Sequence, residues 1–337
     1  MKKLLVLLLS LAAVFSLAAC GGEEEVLNVY FVPSRDGADI LDTVAPLEAL
    51  LKEELADLGF EFDAVKVSVG SSYEVAAQAV TAGNAEVVFL PGGTYVTYEN
   101  EGEGLVPILA ATRSALTVTG KDPKVWNQHV IDNGQVDGDD AAVATGYASI
   151  MVINNTTTTG AALLAEVNGD GLTWDTFKDV NFCRGSATSS AGTIYPGIWI
   201  SDTFPGKTID DLTNVLEVKD YGQKVADLKT GNCDVVSLYG DARRDHGDKW
   251  DADDATKIWT ETSVIGVTDM ITNDGIQVGG HVSAELAEAL ATAFKNLIKT
   301  EEGAAVFAIY SHTGYADISA IDYSGACKAS GLDPITE

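Results

Sequence analysis

Ala82-Gly83-Asn84-Ala85-Glu86-Val87-Val88-Phe89-Leu90-Pro91-Gly92-Gly93 holds the end of a helix, a short strand and the turn that closes it. Gly83-Asn84 is a helix stop, and Glu86–Leu90 reads as a buried strand bounded by Pro-Gly-Gly. Toward the N-terminus, Leu27–Val32 is a similar strand, closed by Pro33-Ser34. Val44, Leu47, Leu50, Leu51, Leu55 and Leu58 recur at helical spacing and predict a helix over 43–58, with Gly59 as its stop. Phe62–Val69 is a second strand. Ser71 or Ser72 then caps a helix expected to turn Val75, Ala79 and Val80 inward. This alternation predicts an α/β lobe built on a mostly parallel sheet. Ligands of such sheets bind beyond the carboxyl ends of the strands, where Pro33-Ser34, Ser71 to Tyr73 and the loop Pro91 to Tyr95 all fall.

Toward the C-terminus, residues 121–145 are polar and read as a surface loop or a partly helical insertion. Tyr147–Ile153 is a strong strand that crosses into a second lobe. That lobe takes a strand near Val180–Phe182, a helix after Gly192, a helix around Tyr221–Thr230 and the strand Asp234–Leu238. Ser263–Ile271 returns to the first lobe, followed by helices over 284–299 and 302–309. The expected organisation is lobe 1 over 26–146 plus 271–337, and lobe 2 over 147–270. Two α/β lobes joined by crossing strands make a cleft that closes on a small ligand.

The ends and the composition narrow the function. Lys2-Lys3 precede an apolar run over 4–17, too short for a comfortable membrane span and of the length of a signal-peptide core. It ends in Leu17-Ala18-Ala19-Cys20-Gly21, which resembles a bacterial lipobox. Residues 1–19 are therefore expected to be a signal peptide, Cys20 a diacylated anchor and 20–25 a tether. The chain has 337 residues, 50 acidic against 21 basic, a balance that argues against nucleic acid or an anionic membrane surface as partner. It does not exclude an anion ligand, because backbone N–H groups and hydroxyls hold anions without formal charge. With Cys20 assigned to the anchor, Cys183, Cys233 and Cys327 remain, in no metal or redox spacing; three thiols allow at most one bridge.

Several of these segments resemble, through most of the mature chain, the PhnD-like phosphonate-binding family of periplasmic binding proteins. Val32-Pro33-Ser34, Pro46-Leu47, Tyr73, Ala82 to Val87 and Gly146-Tyr147-Ala148-Ser149 are pieces of that likeness, with Glu86 where the family has Asp. Pro91 to Tyr95 matches a Gly-Pro-x-x-Tyr loop loosely. The most specific piece is Ser186 to Pro196, which resembles a Ser-Thr-Ser-Gly-x-x-x-Pro pattern, with Ala191 in place of its second Ser. Gly231 to Val236 resembles a Gly-x-x-Asp strand, Asn273-Asp274-Gly275-Ile276 a closing Asn-Asp-Pro-Ile turn, and Asp322-Tyr323 a C-terminal Asp-Tyr.

The resemblance implies a type II two-lobe binding protein that gives a phosphonate, phosphate or phosphite to the permease of an ABC importer. It implies no cofactor, no metal and no catalysis. The ligand residues it implies are Tyr73, Tyr147, Thr188, Ser189, Ser190, Ala191 and Tyr221. Physically, the Ser189-Ser190-Ala191 run feeds a helix N-terminus, where orphan N–H groups and the positive dipole end meet an anion's oxygens. The family's amine-reading acid falls on or near Gly222, so no carboxylate for a ligand amine is assured, and Asp220 is only a neighbour. Cys183 and Cys233 flank strands of lobe 2 and are the candidate disulfide; three thiols packing as small hydrophobes are the alternative. A sensor domain of the same fold, or a hydrolase of phosphorylated compounds, would also suit an oxyanion. The hydrolase lacks a recognisable nucleophile elbow, and Pro205-Gly206-Lys207-Thr208 lacks the first Gly of a P-loop, with Ser201 there.

Overall fold

A computed structural model describes residues 24–100, 104–128, 143–144, 146–320 and 323–333. Its strands are β1 (Val26–Phe31), β2 (Ala64–Val69), β3 (Val87–Leu90), β4 (Leu105–Ser114), β5 (Val143–Ala144) and β6 (Gly146–Asn154). They continue as β7 (Asn181–Arg184), β8 (Asn214–Glu217), β9 (Val235–Tyr239), β10 (Thr262–Thr272), β11 (Gly275–Gly279) and β12 (Gly314–Ala316). Lobe 1 has the order β12-β4-β11-β3-β1-β2, with β5 on β4; lobe 2 has β10-β6-β9-β7-β8. Each sheet contains a parallel trio, β2-β1-β3 in one and β8-β7-β9 in the other. The remaining pairings are antiparallel: β6, β10 and β11 run back across the molecule, and β12 and β5 pair with β4 in the same sense. The sheets are thus mixed, each with a parallel half.

The parallel half of lobe 1 follows the alternation of its sequence. Leu27, Val29 and Phe31 of β1 are buried on one face, whereas all of Val87–Leu90 is buried, as a strand covered on both faces requires. Phe31 and Phe89 stack at 4.6 Å between centroids, and Phe294 meets Phe89 edge-on at 5.6 Å. The Glu86 carboxylate, standing where Asp was expected, accepts from Asn28 N–H at 2.6 Å. Asp234 does the same for Asn181 N–H at 2.9 Å in lobe 2. The acidic residue before each of these strands therefore satisfies a backbone donor of the neighbouring strand.

Local structure departs from the sequence reading in four places. The helix expected over 43–58 is two, Gly37–Val44 and Leu47–Asp57. The first is capped by Asp36, which accepts from Ala38 N–H and Asp39 N–H, and the break falls at Pro46, which has no N–H to donate. In the helix Tyr73–Thr81, capped by Ser72, the buried residues are Tyr73, Ala76, Ala77 and Val80, and Val75 faces solvent. Pro91 to Tyr95 is no loop, since a helix, Gly92–Asn100, starts directly after β3. The long strand β4 was hidden by Pro107, which sits at a register shift of the β4–β11 ladder, where a missing donor is tolerated.

The lobes are joined by β6 and β10, which pair antiparallel from Tyr147↔Ile271 and Gly146↔Thr272 at the crossing to Asn154↔Thr262. Gly146 is required there, because a Cβ would lie 2.6 Å from Ile271 O. The lobe 2 sheet thus runs from Gly146 to Thr272 at its crossing end, one or two residues outside the boundaries expected from sequence. In lobe 2, Phe177 packs against Phe182, Trp199 and Phe204 on one face of the sheet. Cys183 and Cys233 form a disulfide with Cα atoms 5.9 Å apart, and Cys327 is a buried free thiol. Cys20, Asp322 and most of the polar insertion lie outside the described residues. Among the described residues, no helix is long and apolar enough to cross a membrane.

Candidate functional site

The carboxyl ends of β1, β3, β4, β7 and β9 converge on a cavity between the lobes with about 40 Å³ free, room for a few water-sized groups. Lobe 2 contributes Ser189 and Ala191. Gly192 lets the chain turn tightly there, since a Cβ would meet Gly185 Cα at 2.9 Å. Ser189 Oγ caps the turn by accepting from Gly192 N–H (3.1 Å), and it lies 3.4 Å from the Tyr221 hydroxyl. A π-helical turn, Ser190–Ile194, runs into the helix Tyr195–Thr203.

The carbonyls of this turn are held from behind. Ser149 Oγ donates to Ala191 O at 2.7 Å, and Ser237 Oγ donates to Gly192 O at 2.7 Å. Beneath them the fully buried Lys224 donates to Ser237 O at 2.8 Å and lies over the Tyr221 ring at 4.6 Å. Burial pushes its ammonium down to about 7, Arg184 adds to this, and Asp220 opposes it. Ser149 and Ser237 thus fix the carbonyls of Ala191 and Gly192, and a helix start held in this way beside a cavity is a setting in which an oxyanion can be bound.

Five tyrosines, Tyr73, Tyr147, Tyr221, Tyr239 and Tyr310, line the same cavity. Burial pushes all five hydroxyls up, that of Tyr221 to about 12, so they stay protonated across physiological pH. Tyr310 donates to Val32 O at 2.6 Å and Tyr239 to Asp245 at 2.7 Å.

Two of the chain's five arginines also reach the cavity, each ion-paired with a carboxylate. Arg113 donates to Asp274 Oδ2 at 2.7 Å and stacks on the Tyr147 ring at 4.7 Å. Its Nε and the Oδ1 of Asp274 are buried without a partner. Burial is the largest influence and works against both charges, but the neighbours together outweigh it: Asp274 with Tyr147, Tyr239 and Asp245 raises the guanidinium, and Arg113 with His312 holds the carboxyl below its usual range. Arg35 donates to Ile309 O (2.7 Å), to the Tyr239 hydroxyl and to Asp245 (both 3.1 Å).

Of the residues expected at the ligand, Tyr73, Tyr147, Ser189, Ala191 and Tyr221 meet around this cavity. Thr188 and Ser190 stand one layer away, bonded across the cleft to lobe 1. Thr188 donates through N–H and Oγ1 to Glu74 (3.2 and 3.0 Å), and Ser190 Oγ accepts from Gly93 N–H at 2.8 Å. Asp220 caps the helix Tyr221–Thr230 and lines a separate, outer cavity. Arg35, Arg113, Tyr239 and Tyr310 were not anticipated. Asp274 lies in the Asn273-Asp274 turn already singled out, and that was its only signal. Asn273 there donates to Ala111 O and Ala144 O (3.0 and 2.7 Å), holding β4 and β5 so that Arg113 reaches Asp274. Among the described residues no group of His, Cys, Asp and Glu is arranged to hold a metal ion.

A family model described as the periplasmic substrate-binding protein of a phosphonate ABC transporter matches residues 29–323. The chain belongs to this family. The phosphonate-type binding protein has its fold in common with several solved structures. One is the binding-protein component of an ABC phosphonate transporter from Pseudomonas aeruginosa (13% identity, 88% of this chain and 83% of that one, TM-score 0.63). Another is PhnD1 from Prochlorococcus marinus in complex with methylphosphonate (15%, 91% and 97%, TM-score 0.60). A third is the Mycoplasma hyorhinis protein Mh-p37, a putative thiamine pyrophosphate transporter (15%, 88% and 95%, TM-score 0.63). No curated protein sequence matches it. The family is a transport component and its periplasmic character places the binding protein outside the cytoplasm.

Hydrogen bonds to a charged group contribute roughly 1.5–3 kcal/mol each. Ser189→Ala and Tyr147→Phe are therefore each expected to weaken ligand binding by about tenfold to a hundredfold with the fold intact. Isothermal titration measures this, and unchanged affinity in both variants would move the ligand elsewhere.

Proposed function

We propose that the protein captures a small phosphorus oxyanion, a phosphonate, phosphate or phosphite, and delivers it to the permease of an ABC importer. The observation that carries this reading is the composition of the interlobe cavity: a hydroxyl-bearing helix start, neutral tyrosine donors and two guanidiniums around a small space. Support also comes from the related fold seen with methylphosphonate. Donors from both lobes make binding and closure one event, driven by the ligand's greater affinity for the closed form. A thermal-shift panel of phosphate, phosphite, hypophosphite, methylphosphonate and 2-aminoethylphosphonate tests the reading. A true ligand raises the melting temperature with the logarithm of its concentration above Kd, and a panel in which none does so rejects it.

The same reading makes the mature protein a lipoprotein anchored through Cys20, on the strength of the Leu-Ala-Ala-Cys junction. Cys20→Ala is expected to leave an unprocessed precursor or to release the protein from membranes. A variant that matures and fractionates like the parent would refute the anchor.

A further inference from the structure

A second chamber of about 260 Å³ adjoins the oxyanion cavity on the hinge side. The two have Arg113, Tyr147, Tyr239 and Ser311 in common as lining residues. Beyond that common wall the chamber is lined by Leu116, Val118, Trp126, Ala148 and Met270. Among the described residues no carboxylate lines it, and its two guanidiniums are already bridged, Arg113 to Asp274 and Arg244 to Asp245 (2.7 and 3.0 Å). A third cavity has only Arg35 in common with the oxyanion cavity and is lined by five carboxylates, among them Asp36, Asp220 and Asp248, against three basic side chains, Arg35, Lys219 and Lys249, so it is acidic on balance.

These two neighbours suit opposite substituents. An ammonium group would be drawn to the acidic cavity, whereas an uncharged apolar group belongs where aromatic and aliphatic side chains give up water. Four common lining residues against one make the apolar chamber the continuation of the anion site. The oxyanion cavity is the smaller of the two, about 40 Å³ against about 260 Å³, so a bulky substituent is better accommodated in the chamber.

Resting on the oxyanion reading above, we propose that the ligand class is an organophosphonate or phosphate monoester with an uncharged apolar substituent as large as an aromatic ring. Its oxygens sit at Ser189 and Ala191, and its substituent passes the Arg113–Tyr147 pair into the chamber beside Trp126.

Isothermal titration of the full chain with methylphosphonate, phenylphosphonate and 2-aminoethylphosphonate tests the proposal, together with two chamber-filling variants. Ala144→Phe adds bulk at the half-buried chamber wall. Met270→Trp does so at a residue 60% exposed, where folding is not at stake. Phenylphosphonate is expected to bind at least about tenfold more tightly than methylphosphonate. Either variant should abolish that preference and leave methylphosphonate within about twofold of the parent. Binding of methylphosphonate with phenylphosphonate equal or weaker overturns the chamber and leaves the oxyanion site standing. A preference for 2-aminoethylphosphonate moves the substituent to the acidic cavity and overturns it too, as does a phenyl preference that survives both variants. If no phosphonate and no phosphate binds, the oxyanion reading itself falls.

Discussion

Arg113→Met is expected to destabilise the protein by about 3 kcal/mol at pH 7.5, and by clearly less at pH 4.5. The side chain is nearly isosteric with the arginine stem, so packing on Tyr147 survives and the loss is electrostatic. In the parent, burial alone would raise the Asp274 carboxyl, but Arg113 and His312 together outweigh it and hold the group below the usual carboxylate range. A carboxyl depressed in the folded state contributes stability that is present above its unfolded value, near 3.9, and lost as pH falls through the folded value. Without Arg113 the sign reverses. Burial then raises the Asp274 carboxyl above its unfolded value, and the variant gains stability as pH falls and the folded state takes up a proton.

His312 assists this rescue, since its Nε2 stands 4.0 Å from Asp274 and its own depression by burial is deepened by Arg113. Oxyanion affinity at pH 7.5 should also fall by at least about a hundredfold, because a guanidinium is lost and an unpaired carboxylate faces the ligand. Denaturant unfolding of both proteins at the two pH values decides the matter. A stability gap that is the same at both would mean that Asp274 is not the group left unpaired.

Gly93→Val is expected to weaken ligand binding by about tenfold to a hundredfold while the ligand-free melting temperature changes little. Gly93 lies at the start of the lobe 1 helix Gly92–Asn100 and faces the anion turn of lobe 2. A Cβ there would stand 2.5 Å from Ile194 Cδ1, 2.8 Å from Ser190 Oγ and 3.0 Å from the main-chain oxygen of Thr188. The first two can rotate away, but the third is backbone, and valine adds two further carbons. Overpacking of this kind costs about 1–3 kcal/mol, and here only the closed form bears it. A ligand that binds by closing the cleft loses that energy directly from its affinity. Gly93→Ala should fall between the two. Titration of the three proteins orders them, and equal affinities would mean that closure does not bring these surfaces together.

Those two residues also mark where sequence reasoning stopped. The elements of the parallel half were legible because short apolar runs, Pro-Gly turns and Ser caps act within a few residues, as at Glu86–Leu90 and Ser72. Ser189 and Ala191 were placed at the cavity through the family likeness, which fixes the register of a turn that carries both a hydroxyl and a helix start. Thr188 and Ser190 looked identical to them along the chain, and only the approach of Gly93, Thr94 and Glu74 from the other lobe turns them into closing contacts.

What the sequence determined by itself is the two-lobe α/β class, written in short apolar runs, caps and turns that local sterics and hydrogen bonding read without reference to the rest of the chain. The Ser189-Ser190-Ala191 turn stood out as a ligand candidate only through the likeness to the phosphonate-binding family, since a hydroxyl run before a helix is by itself an ordinary cap. What only the tertiary structure decided is the charge of the site. Arg113 and Asp274 are 161 residues apart, one on a strand that Pro107 disguised and the other in the short turn between β10 and β11. They meet because β11 inserts antiparallel between β3 and β4, and no local propensity records that pairing.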